Sequence, residues 1–306
     1  MIFNMFLGNH PADRLKKLYD LVRPIEHGLV ENGHHVIGYG LGLRPAPAVN
    51  LLVEFFPDDS FVDELLRLKA DAGARLLLGL ICPDDVEDDE ELENALYPRR
   101  RANVERLLGK VDFAWTVQPL LPFYEAICGR GNAAGIAFGF SERLLNRRII
   151  AQPELRDLDV LIEGEDSPRC RAVVDGLTAR GLKCYFAGPV PLPSFATADL
   201  ARRAKLVLDV RRGPRSRFSS APRICKGLHN GALVMTERGR GAPGVLDRFA
   251  LGCDPERIVE DCVAAIESKK AVDLGLAALE KFRMETSMRH GLASALGLPR
   301  LQRAVA

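Results

Sequence analysis

What this sequence lacks is charge of one sign. Forty-two Lys and Arg against 41 Asp and Glu leave a net charge of +1 over 306 residues. No basic surface interleaved with aromatics stands out either, which argues against nucleic acid as the partner. The chain has no apolar run of about 18 residues that could span a bilayer, so no integral membrane segment is expected. Its opening, MIFNMFLGNHPADR, has no basic leader or small-residue cleavage site and is read as a first strand of a cytoplasmic protein. The seven cysteines are an odd number, scattered from Cys82 to Cys262 without a C-x-x-C pair. They form neither a disulfide framework nor a zinc site, and reduced core thiols with no bound metal are expected. Neither the P-loop pattern G-x-x-x-x-G-K-[ST] nor a G-x-S-x-G elbow occurs, which removes the usual handles for P-loop hydrolysis and α/β-hydrolase chemistry.

What is there is alternation. Short β-rich runs (MIFNMFLG, HHVIGYG, NLLVEFF, ARLLLGLIC, VDFAWTV, AGIAFGF) are separated by longer amphipathic stretches. That is the pattern of parallel strands joined by helices, an α/β fold. Between the first two strands, DRLKKLYDLVRPIEHGLVENGH has helical spacing and a stop at Asn32-Gly33. A second set begins near residue 158 with LDVLIEG, KCYFAG, AKLVLDV and GALVMTE. The polar, proline-bearing ERLLNRRIIAQPELRD is the natural linker. The expected division is an N-terminal Rossmann-like domain over 1–148, a C-terminal one over 149–284, and a closing helical segment over 285–306. The acidic run PDDVEDDEELENALYPRRR is read as a solvated helix face.

One stretch stands out against the neutral total. Arg211, Arg212, Arg215, Arg217, Arg223 and Lys226 fall within 16 positions, directly after the strand AKLVLDV. In open α/β sheets, ligands sit at the carboxyl ends of strands. The loop then enters a helix through SSAP, where Ser219 or Ser220 can cap and Pro222 suits the first turn. Unpaired amides at such a helix start form an anion site, and Arg223 and Lys226 share a face beside it. Guanidinium pairs with phosphate oxygens in bidentate fashion, so a diphosphate fits this set. A solvated basic loop is the alternative.

The segment APRICKGLHNGALVMTE behind a basic loop resembles the donor-binding helix and strand of GT-B glycosyltransferases, in particular the spore-maturation type and its group-one-like relatives. DVLIEGEDSPRCRAVVDGLTARGLKCYFAG is similar to the opening of their C-terminal domain. The resemblance implies two Rossmann-like domains facing across a cleft, with final helices crossing back to the first. It also implies a nucleotide diphosphate sugar as donor, an unknown acceptor, and a metal-independent hexosyl transfer. By position, Arg223 would meet the diphosphate and Glu237 would lie near the nucleotide or sugar. The sequence departs at Lys226, where many members carry a ribose-binding glutamate, and lysine cannot accept a hydroxyl proton.

Other candidates follow from placement. His10, after the first strand, is the candidate general base, with Gly8 giving room for approach. Glu54, at the end of NLLVEFF, is the next candidate for the catalytic base and should face a cleft or a paired partner. Asp84 and Asp85 are further acidic candidates. Gly164 could allow close backbone approach to the donor, with Ser167 capping the next helix. Trp115 and Tyr124 would line an acceptor surface or fill the core. Two readings compete with transfer: a non-catalytic GT-B-like protein that binds a nucleotide, sugar or protein, and a two-domain sugar-phosphate epimerase.

Overall fold

The computed structural model describes the chain except for Pro11, Leu41, Phe55, residues 83–98, Glu165, residues 189–191, 212–217, 239–240, Ala242 and Ala306, and the side chains of residues 12–14, 16–17 and 304–305. Asp84, Asp85, Arg212, Arg215 and Arg217 therefore lie outside the described residues, as does most of the acidic run.

The chain divides into two compact units. The first comprises Met1–Leu15, Ile25–Ala137 and Met288–Ala306. It holds a six-stranded sheet in the order β2-β1-β3-β4-β5-β6, with β1 Ile2–Phe6, β2 His35–Gly40, β3 Ala48–Val53, β4 Leu77–Cys82, β5 Phe113–Val117 and β6 Ala133–Ile136. All its pairings are parallel. The inner strands β3 and β4 are buried at every residue, as a parallel sheet covered on both faces requires, which is why they read as unbroken apolar runs. Trp115 and Tyr124 are fully buried, so both belong to this core. At Gly79 an added Cβ would lie 2.2 Å from the Phe113 ring, so only glycine lets that ring cross the strand. The short terminal helices Met288–Gly291, Ala293–Leu296 and Pro299–Val305 belong to this unit. Ser294 Oγ donates to the Gly135 carbonyl at 2.8 Å.

The second unit comprises Lys16–Pro24 and Phe138–Ser287. Its five strands are ordered β11-β10-β9-β7-β8, with β7 Leu158–Glu163, β8 Cys184–Phe186, β9 Ala204–Asp209, β10 Leu233–Glu237 and β11 Leu251–Cys253. All are parallel. Ser167 caps the helix Pro168–Ala179 through the Cys170 amide. Arg156 ties the lower edge together. Its guanidinium, 2% exposed, donates to the carbonyls of Ile150, Ala204 and Gly231 at 2.9, 2.6 and 2.9 Å. His229 is also buried. Its Nδ1 donates to the Cys225 carbonyl at 2.7 Å, which leaves Nε2 to accept the Ser141 amide at 3.1 Å.

No helix among the described residues is long and apolar enough to cross a membrane.

Candidate functional site

The carboxyl ends of three adjacent strands carry a row of acids: Glu163 ends β7, Asp209 ends β9 and Glu237 ends β10. Glu163 and Asp209 are register partners, and Thr236 stands opposite Asp209. All three acids are buried, so each needs a partner. Each has a basic one. Lys226 Nζ lies 2.7 Å from Glu163 Oε1, Arg223 Nη1 2.7 Å from Asp209 Oδ1, and Arg169 Nη2 2.6 Å from Glu237 Oε1. Lys226 also meets Asp20 Oδ2 at 2.7 Å, and Ser194 Oγ donates to Asp20 Oδ1 at 2.7 Å.

The sequence builds this row through the helix Ala221–His229. Pro222 fits its first turn. Gly227 lets the helix sit close on the sheet, since a Cβ there would lie 2.6 Å from Val234 Cγ2. The Ser220 side chain makes no capping bond; instead the Ser220 amide donates to Asp209 Oδ2 at 2.9 Å. Asp209 thus acts as a resident anion at the helix N-terminus, where the dipole favours it, and its other oxygen takes Arg223. Arg211, at the same strand end, is buried, with Nη2 3.3 Å from Ser219 Oγ. Among the described residues, Lys226 serves two carboxylates, Asp20 and Glu163, while Arg223 and Arg169 serve Asp209 and Glu237.

Burial sets the proton affinities. It pushes the carboxyls of Glu163 and Glu237 above the usual range, in spite of the cations beside them. Burial also works against the Lys226 charge, but the carboxylates of Glu163 and Asp20 outweigh it and hold the ammonium above its ordinary value. Gly164 faces atoms of its own chain. A Cβ there would lie 2.8 Å from Cys170 Sγ and 3.3 Å from the Val210 carbonyl, so the tight strand-to-helix turn by itself requires glycine.

In the first unit, His10 Nε2 donates to the Val53 carbonyl at 3.2 Å, a carbonyl that also accepts Asn9 Nδ2 at 2.9 Å. In the neutral ring Nδ1 is then the basic nitrogen. Glu54 has the paired partner that was one of its two expected settings. Arg100 grips both its oxygens, at 2.8 and 2.7 Å, and both side chains are buried.

Sequence reasoning did not single out Asp20, Glu163, Asp209 or Arg169. The acids at the ends of LVLDV and LDVLIEG were a readable signal, because an acid closing an apolar strand must be paired. Gly239, Gly241 and Gly244 stand in G-x-G-x-x-G spacing behind β10. The next elements are a single turn at Asp247–Phe249 and the strand β11, so the helix N-terminus that a dinucleotide fingerprint needs does not follow.

With this architecture described, comparison with solved structures decides the fold. An α-glucosyltransferase in complex with UDP and DNA superposes with a TM-score of 0.54 at 8% identity, covering 99% of this chain and 98% of that one. The fold is that of the GT-B glycosyltransferases. TarM of S. aureus, in a complex containing UDP, matches with a TM-score of 0.54 at 8% identity over 81% of this chain, which spans 55% of the TarM chain. The N-terminal domain of trehalose-6-phosphate phosphatase of Candida albicans matches with a TM-score of 0.52 at 9% identity, covering 100% of this chain and 97% of that one. No protein-family model matches the sequence, and no curated protein resembles it significantly in sequence. The GT-B frame therefore rests on shape, and the chemistry has to be argued from side chains.

Proposed function

We propose that this chain is a glycosyltransferase that moves a sugar from a nucleotide diphosphate sugar to an acceptor, without a bound metal. The observation that carries the reading is the start of the helix Ala221–His229 at the carboxyl end of β9, with Arg223 in its first turn, on a frame shared with an α-glucosyltransferase bound to UDP. Sugar transfer leaves a diphosphate whose growing charge must be stabilised. Fixed guanidinium groups and a helix N-terminus do this without a metal ion. In this reading Arg223, Arg215 and Arg217 receive the diphosphate while the Ser220 amide stays with Asp209, and Gly164 lies behind them at the end of β7. Asp209 orients Arg223 by holding Nη1. Glu237, steadied by Arg169, orients the nucleotide or sugar. Lys226 holds Asp20 and Glu163 together at the position where a ribose-binding glutamate is usual. His10 is the general base toward the acceptor hydroxyl. Glu54 fixes Arg100.

The test is thermal stabilisation by uridine, guanosine, cytidine, thymidine and adenosine diphosphates, with and without magnesium. A ligand at about 100 times its Kd adds about 2.7 kcal/mol. One nucleotide should raise the midpoint equally with and without magnesium, and Arg223→Ala should cost about 1.5–3 kcal/mol of binding. Unchanged affinity in Arg223→Ala removes the diphosphate from this helix. A second reading, a non-catalytic binding protein on the same frame, is favoured by the burial of Lys226 in ion pairs. It predicts that no nucleotide sugar is hydrolysed or transferred even where a nucleotide binds.

A further inference from the structure

Strands β2 and β3 flank β1 and run parallel to it, so the chain must return the length of the sheet between them. Such returns are usually made by a helix. Here residues 41–47 suffice, a stretch that extended chain spans in about 24 Å, and so the backbone lies as a narrow strap over β1. Two buried asparagines hold it. Asn4 Nδ2 donates to the Gly42 carbonyl at 3.1 Å and to Asn50 Oδ1 at 2.8 Å. Asn50 clasps Arg44 on both sides, accepting its amide and donating to its carbonyl at 2.8 Å each. The Ala46 amide donates to the Arg75 carbonyl at 2.8 Å, which anchors the strap beside the end of the helix Asp59–Ala72.

A strap is much narrower than a helix of about 10–12 Å. The width it leaves uncovered is a groove of about 730 Å³, within the usual range for small-molecule sites. Phe6, Phe61 and Leu65 form its floor, with Leu43 and Pro45 on the strap and Leu68 on the helix. The carboxylates at the groove, Glu64 and Asp71, are both taken by Arg67. Arg44 and Arg75, also at the groove, meet no carboxylate among the described residues. Among the described residues Arg75 leans on the carbonyls of Ala72 and Asp71, each at 3.3 Å. The lining itself carries two guanidiniums (Arg44, Arg75) and two carboxylates (Glu64, Asp71); because Arg67, outside the lining, holds both carboxylates, Arg44 and Arg75 are the charges the groove offers to an anion.

We infer that the groove binds an anionic single-chain amphiphile. Its hydrocarbon lies along Phe61, Leu65 and Leu68, and its phosphate or carboxylate head sits on Arg44 and Arg75. The helix rises about 16 Å from Phe61 to Ala72, which accommodates a chain of dodecyl length. The inference does not depend on the proposed transferase activity, since it rests on the first unit alone.

Calorimetric titration below the critical micelle concentration tests it on the full chain, with dodecyl phosphate as probe. Binding should be saturable at one per chain, and at least about tenfold tighter than octyl phosphate, since each buried methylene is worth up to roughly fourfold. Leu68→Glu, a change at an exposed position, should weaken dodecyl phosphate binding at least tenfold. Arg44→Gln/Arg75→Gln should weaken dodecyl phosphate about tenfold and leave uncharged dodecyl maltoside unchanged. Binding of inorganic phosphate as tight as dodecyl phosphate overturns the inference, as does indifference to Leu68→Glu or to the arginine pair. A dimer in sedimentation that Leu68→Glu dissociates gives the groove to a second copy and overturns it as well.

Discussion

Lys226→Met removes the ammonium shared by Asp20 and Glu163 and leaves two carboxylates without their cation. The Lys226 side chain is 10% exposed, and both contacts are 2.7 Å. Removing one partner of a buried pair costs about 3–5 kcal/mol. Two features bound the loss from above. Glu163 already favours its proton through burial, so it can be neutralised, and Asp20 keeps the Ser194 hydroxyl. A loss of about 3 kcal/mol is therefore expected, against a total of about 5–15 kcal/mol for a typical domain. The reporters separate the units. Trp115, the only tryptophan, lies in the core of the first, so its fluorescence follows that unit, while amide exchange along β7 and β9 follows the second. Protection along β7 and β9 should fall with the expected free energy. The triple variant Lys226→Met/Asp20→Asn/Glu163→Gln should recover most of it, because no unpaired charge remains. A loss below about 1 kcal/mol refutes the buried-triad reasoning. A nucleotide affinity that collapses in a Lys226→Met protein of normal stability would give Lys226 to the donor.

Three further outcomes concern His10, Glu54 and Glu163. His10→Ala should abolish turnover while leaving nucleotide affinity nearly intact, and equal turnover removes His10 from the mechanism. Glu54→Gln should cost about 3 kcal/mol in chemical denaturation, since it weakens a buried pair in which Arg100 holds both carboxylate oxygens; a cost near zero shows that this pair does not stabilise the fold. Glu163 gives a pH signature. With its folded value above the ordinary 4.5, the folded state holds a proton that the unfolded state has released. The stability of wild type relative to Glu163→Gln should therefore fall as pH rises from about 4.5 through that raised value, and then level off. A difference that grows with pH refutes the assignment.

Much of the frame was legible because parallel strands buried on both faces leave unbroken apolar runs. Runs such as NLLVEFF and ARLLLGLIC correspond to β3 and β4 for that reason. β11 was not legible, since Leu251 and Gly252 are exposed and its three residues carry no pattern. The missing crossover helix between β2 and β3 could be inferred only from the shortness of LGLRPAP, because the buried Asn4 and Asn50 that replace it look like turn formers. At the site the basic residues were legible and their partners were not. A cluster of arginines is visible as composition, whereas a row of acids each closing a separate strand appears only when the sheet brings the strand ends together.

That asymmetry changes how a donor would have to bind. Six basic residues between Arg211 and Lys226 suggest an open anion site, yet Asp209 already occupies the Ser220 amide and one nitrogen of Arg223, and Lys226 is shared by two carboxylates. A diphosphate that used the inner groups would displace a carboxylate into a buried, uncompensated position, at a cost of several kcal/mol. One that met the outer face of Arg223 would keep those pairs intact and gain a guanidinium whose orientation Asp209 has already fixed. The two arrangements respond oppositely to Asp209→Asn. The displacement route gains affinity when the competing charge is removed, and the preorganised route loses it. The preorganised route is the one that leaves the pairs of Asp209, Glu163 and Asp20 intact, and Asp209→Asn should weaken nucleotide binding.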